Sequence, residues 1–102
     1  MLHIYAVSIQ LCRDVRLIVI RIRNRTLVDQ MTRAAMSIPL NLAESDGVTG
    51  GNRQQRRLTA LGSARELAAC FDVSEAMFGV DIDPTVRRRV DHVIGVLVKL
   101  TR

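Results

Sequence analysis

Aromatic side chains are nearly missing from this chain, which has no tryptophan, one tyrosine (Tyr5) and two phenylalanines (Phe71 and Phe78). A core without them has to be filled by Leu, Ile, Val and Ala. Only two prolines occur and no stretch alternates apolar and polar residues, which argues against a sheet. The two cysteines, Cys12 and Cys70, lie far apart and have no metal-ligand spacing. Both fall inside helical patterns, where buried, reduced thiols are expected. His3 and His92 each stand alone in sequence, so no metal or other cofactor is expected. Long apolar runs are absent too. Leu17 to Ile20 lies between Arg16 and Arg21, and Val93 to Val98 is equally short, so neither can span a bilayer. No basic segment precedes the apolar start and no small-residue cleavage site follows it, so the expected compartment is the cytoplasm.

What is present is arginine. Lys99 is the sole lysine among 15 basic residues, against 10 acidic ones, giving a net charge of +5 and a pI near 10.6. That balance favours an anionic partner, nucleic acid first. A genome whose base composition favours arginine codons would produce the same excess, and composition alone does not separate the two. With 102 residues the chain is one domain, residues 1–102, large enough for one core.

Four amphipathic segments make up that domain. The first runs from about Leu2 to Arg23, with Ile4, Val7, Leu11, Val15, Ile18 and Ile22 as its seam. Ile9, Leu17 and Ile20 fall away from it as a second apolar patch. In the second, Thr26 and Asp29 have the form of a capping box. Leu27, Met31, Ala34, Ala35, Ile38 and Leu42 then share one face. A polar stripe of Gln30, Arg33, Ser37, Asn41 and Glu44 follows, and beyond it a second apolar strip of Met36, Leu40 and Ala43. Two apolar faces on one helix point to burial on both sides, one in the core and one against another subunit. Pro39 removes the helical bond to the Ala35 carbonyl, so a kink or a restart is expected there. The glycine-rich turn from Asp46 to Asn52 has no Gly-Lys-Ser/Thr after it and reads as the bend of a hairpin, with Asn52 capping the third helix. That helix reaches about Phe78, with Ala60, Ala64, Leu67, Phe71, Ser74 and Phe78 as seam and Ser63, Cys70 and Met77 alongside. Gly62 in its middle is expected where a neighbouring helix comes close. Gly79 and Asp83-Pro84 end one helix and start the next, which carries Val86, Val90, Val93, Leu97 and Leu100 with Ile94 beside them. The expected fold is all-α, an up-down-up-down four-helix bundle.

The run Asp29-Gln30-x-x-Arg33-Ala34-Ala35-x-Ser37-Ile38-Pro39-x-Asn41-Leu42-Ala43-Glu44 resembles the signature of a bacterial four-helix bundle family. The family includes the 23S rRNA intervening-sequence proteins and the accessory variability protein of diversity-generating retroelements. Ala60 to Leu67 is similar to its Gly-Ser-x-x-Glu-Leu block, here Gly62, Ser63, Glu66 and Leu67. The sequence departs from the pattern at Ser45, where a glycine is usual, and in the scarcity of aromatics in the first helix. The resemblance implies a helical protomer assembling as a homopentamer, with nucleic acid as ligand, RNA before DNA. It also leaves room for a protein partner such as a reverse transcriptase. The face of Met36, Leu40 and Ala43 is then the oligomer interface.

No nucleophile or metal motif stands out. Arg87-x-x-x-x-His92 is similar to the Arg-x4-6-His of HEPN ribonucleases, but three consecutive arginines make such a match cheap. A solvated surface histidine is the expected reading, and no catalytic residue is assigned. Asn41 and Glu44 lack a partner acid, base or metal, so the polar stripe is expected to be structural, paired with Arg33 or Arg65. The arginines gather as Arg21, Arg23, Arg25; as Arg53, Arg56, Arg57; and as Arg87, Arg88, Arg89. In an antiparallel bundle the first and third groups share one end. None is interleaved with aromatics, so the expected mode is phosphate contact without strong sequence preference.

Overall fold

Asn24 begins the second helix, and its side chain shows how closely the local chemistry sets the boundaries. Its Oδ1 accepts from the Leu27 N–H at 2.9 Å. The start therefore lies before Thr26, because asparagine caps better than threonine and was available first. The structure, a computed structural model, describes residues 2–102. They form four helices, α1 (His3–Val19), α2 (Arg25–Asp46), α3 (Gly50–Phe78) and α4 (Pro84–Leu100), and among the described residues there is no strand.

Helix α1 buries Ile4, Ser8, Leu11, Val15 and Ile18. Ser8 takes the core position expected for Val7, which is only half-buried. The serine tolerates it because its Oγ donates to the Tyr5 carbonyl at 2.7 Å. The helix also stops short of Arg23. Arg21 and Ile22 bond back to Ile18 and Val19 in tightened three-residue turns, and Ile22 is buried from outside the helix.

Helix α2 passes through Pro39 without ending, so no restart occurs there. Its buried residues are Leu27, Met31, Ala34, Ala35, Ile38, Pro39, Leu42 and Ser45. Ser45 stays helical because its Oγ donates to the Leu42 carbonyl at 2.7 Å, and the chain turns only at Gly47.

Thr49, not Asn52, occupies the cap position of α3, and Gly50 adopts a φ of 59° that favours glycine. At its other end Gly79 is left-handed, with a φ of 63°. The Val80 N–H donates to the Ser74 carbonyl at 3.2 Å, and the Ser74 Oγ donates to the Val80 carbonyl at 2.9 Å. This reciprocal pair lets Ser74 be fully buried. Gly62 is exposed, and a β-carbon there would meet nothing within 4 Å, so the expected close helix approach does not occur within the protomer. Met77 is exposed as well. Asp83 caps α4 by accepting from the Thr85 N–H at 2.7 Å, with Pro84 in the first turn. Val86, Val90, Val93 and Leu97 face inward, while Leu100 is half-buried.

Each helix packs against its neighbours in the chain, and α4 closes back onto α1. The molecule measures 42 × 23 × 20 Å, its length set by the 29 residues of α3. The core centres on Phe71 and the fully buried Leu11, Met31, Ile38, Leu67 and Leu97. Two residues of the α3–α4 connection, Val80 and Ile82, are buried in it as well.

Candidate nucleic-acid interface

The connector between α1 and α2 projects its charges because Ile22 points inward and its neighbours therefore point out. Arg21, Arg23 and Arg25 are all exposed. Arg21 donates to the Asp81 carbonyl at 3.3 Å, which brings this end of α1 against the α3–α4 connection. Arg23 and Arg25 have no ion pair among the described residues.

The second group clasps the α2–α3 turn. Arg53 Nε donates to the Ser45 and Val48 carbonyls at 3.3 and 3.1 Å, neutralising the carbonyl end of α2. Arg56 pairs with Glu44 at 2.9 Å, both about half exposed, a geometry of little energetic weight in water. Arg57 is half-buried, and its Nε is the buried side-chain donor left without a partner among the described residues.

The side chains of the triplet Arg87, Arg88, Arg89 do not lie together on one face. Successive residues of a helix turn by about 100°, so three in a row fan in different directions. Arg87 reaches α3, bonding Asp72 at 2.8 Å and Glu75 at 3.0 Å, with its guanidinium 5.6 Å from the Phe71 ring centre. The hydrogen bond from Arg87, joined by one from the Ile82 N–H, holds the Glu75 carboxyl below its ordinary range. Arg89 turns the other way and grips both oxygens of Asp14 on α1, at 2.8 and 2.7 Å. Only Arg88 faces solvent, held by the Thr85 hydroxyl at 3.0 Å. His92 reaches α1. Its ring meets that of His3 edge to face, 5.8 Å between centres. The two histidines thus form a pair instead of standing alone. Nothing in the local spacing signals these long-range partners. Asp14, the lone acid of α1, is the nearest thing to a clue.

The polar stripe of α2 meets α3 at a small cluster. Ser63 Oγ donates to Ser37 Oγ at 2.7 Å, and Asn41 Nδ2 donates to the same oxygen at 3.0 Å and to the Ser37 carbonyl at 2.9 Å. These residues satisfy one another, and the expected partners Arg33 and Arg65 remain exposed. Asp29 is exposed too, and Gln30 and Glu66 line a groove between α2 and α3 with Cys70, Val73 and Met77. On the outer strip Met36 and Leu40 are 52% and 58% exposed, with Ala43 beside them. Leu17 and Ile20 of the first helix region are exposed as well, while Ile9 is half-buried.

Among the described residues no group of three His, Cys, Asp or Glu could hold a metal ion, and no helix is long and apolar enough to cross a membrane. Compared with known protein families, residues 1–84 match the model of the 23S rRNA-intervening sequence protein. The match takes in α1, α2 and α3 and stops at the first residue of α4. Searches of curated proteins and of solved structures gave no match.

Proposed function

This chain belongs to the 23S rRNA-intervening sequence protein family, and on that premise we propose that it is a non-enzymatic, oligomeric basic scaffold for RNA. The observation that carries the reading is a set of exposed arginines with no acidic partner among the described residues: Arg23, Arg25, Arg33, Arg65 and Arg88. Cations left free in this way are available to phosphates, and each contact gains through counterion release. Arg87 and Arg89, already engaged with carboxylates, contribute to the fold more than to a ligand.

The same reading includes the finer architecture. The helices alternate up and down, α2 bends at Pro39, and protomers close into a ring, five being the preferred number. Support comes from the exposed Met36, Leu40 and Ala43 on the side of α2 away from the core, and from Gly62, whose missing side chain serves nothing inside the protomer. A ring repeats each arginine around its axis and turns weak contacts into avidity. The deciding experiment is retention of RNA at low salt, followed through a salt titration. Affinity falls by about 0.7–0.9 in log–log slope per phosphate contact if the reading holds. A protein that retains no RNA has incidental charge, and its exposed apolar strip then serves a protein partner.

A further inference from the structure

The groove between α1 and α4 is set apart from the rest of the surface by the residues that meet there. Its floor is Ala6 and Val7, and Gln10, Arg88 and His92 stand along it, with His3 against His92. It is a shallow depression of about 430 Å³, widely open to solvent. Its electrostatics are one-sided. The carboxylate that could have neutralised it, Asp14, is 10% exposed and already accepts two hydrogen bonds from Arg89. Asp91, the next acid along α4, is not part of the lining. Arg88 keeps its charge free, since its one bond, to the Thr85 hydroxyl, is neutral. Arg13, outside the lining, donates to Gln10 at 3.3 Å, and Arg89 itself is part of the lining.

We propose that this groove seats a nucleotide of single-stranded RNA, with its phosphate on Arg88 and its base against the His3–His92 pair. The inference rests on the scaffold reading and gives it a specific place. Unpaired bases are held by stacking on flat side chains, imidazole included, beside a cation that takes the backbone. These are the two elements the groove supplies together. Elsewhere Phe71 is fully buried, and Tyr5 and Phe78 are half-buried, Phe78 on the wall of the α2–α3 groove. A duplex keeps its bases paired and stacked, so it cannot present one to a histidine ring, and the groove selects single strands. The groove also depends on α4, most of which lies beyond the matched residues 1–84, so it is a feature of this chain and not of the match.

The test uses the full chain and a labelled oligo-adenylate, read by fluorescence anisotropy across a salt series. Arg88→Glu weakens binding and flattens the log–log salt slope by about 0.7, the value for one phosphate contact on a single strand. His92→Ala and His3→Ala each weaken binding by about fivefold or more with the slope unchanged, as loss of a stacking face requires. A paired control, Arg23→Glu with Arg25→Glu, flattens the slope but leaves the effect of His92→Ala intact. Far-UV circular dichroism confirms that the exposed-site variants fold. If the wild type binds RNA while the Arg88, His92 and His3 variants bind equally well, the groove is wrong and the scaffold reading survives. If the wild type binds no RNA, both fall. Equal competition by duplex RNA or by poly-glutamate also overturns the proposal, because the groove would then be reading charge alone.

Discussion

The thiol of Cys12 donates to the carbonyl of Ala35 at 3.4 Å, and that carbonyl is the one Pro39 deprives of its helical N–H. A proline inside α2 is thereby compensated by a cysteine on α1. Burial pushes the Cys12 thiol up from its ordinary range, which keeps it protonated and able to donate. The relationship predicts a coupling. Cys12→Ala costs about 1 kcal/mol in urea unfolding, the net value of a hydrogen bond. In a Pro39→Ala background, where residue 39 can again serve Ala35, the same change costs clearly less. A double-mutant cycle with strictly additive terms would show the two residues to be independent.

Arg88 and Arg89 are adjacent, yet their removal has unequal effects on stability. Arg89→Met takes both of its hydrogen bonds from the nearly buried Asp14 carboxylate, leaves it only the one from Gln10 at 3.3 Å, and lowers stability by about 2 kcal/mol. Arg88→Met changes it by less than about 0.5 kcal/mol, as surface substitutions usually do. Equal losses in chemical denaturation would contradict the fanned arrangement.

The Glu75–Arg87 contact predicts a pH dependence with a definite sign. A carboxyl held below its ordinary range stabilises the fold above that range, and the stabilisation is lost as pH falls through the folded-state value. The melting temperature of Glu75→Gln therefore lies below that of the wild type at neutral pH, and the two converge as pH drops below about 4. A gap that stays constant down to pH 3 would mean that the contact contributes nothing.

Leu40 is 58% exposed on the outer strip of α2, so Leu40→Glu disturbs no core packing in the protomer. Light scattering of the wild type is expected to give a multimer and that of the variant a monomer, with unchanged helical content. A wild type that is monomeric at micromolar concentration ends the ring proposal, and an unchanged mass in the variant moves the interface elsewhere.

The helices themselves were legible in the sequence, since the three- and four-residue spacing of Leu27, Met31, Ile38 and Leu42 admits little else. Boundaries were less so, because several residues compete for each cap. Asn24 beat Thr26, and Thr49 preceded Asn52. Ser8 is not legible in the sequence, because a buried serine requires the Tyr5 carbonyl, a bond that hydrophobicity does not record. The arginine groups were visible, but their fates were not. Arg89 and Asp14 are 75 residues apart, and only the closure of α4 onto α1 brings them together. The same closure joins His3 to His92 and makes the groove, so the chain's most distinctive surface was the part least visible in one dimension.

The two ends of the bundle differ in what a change of chain length would do to them. At one end the connections carry Ile22, Val80 and Ile82 inward, so the loops act as a stopper on the core. At the other the turn through Gly47, Thr49, Gly50 and Gly51 lies exposed, with Val48 only half-buried. Added residues at 80–82 would draw the stopper out and wet the core beneath it. An insertion at Gly50–Gly51, in the first turn of α3, displaces no buried side chain and loosens only the Arg53 clasp, so a fusion domain, or the new termini of a circular permutant, belongs there.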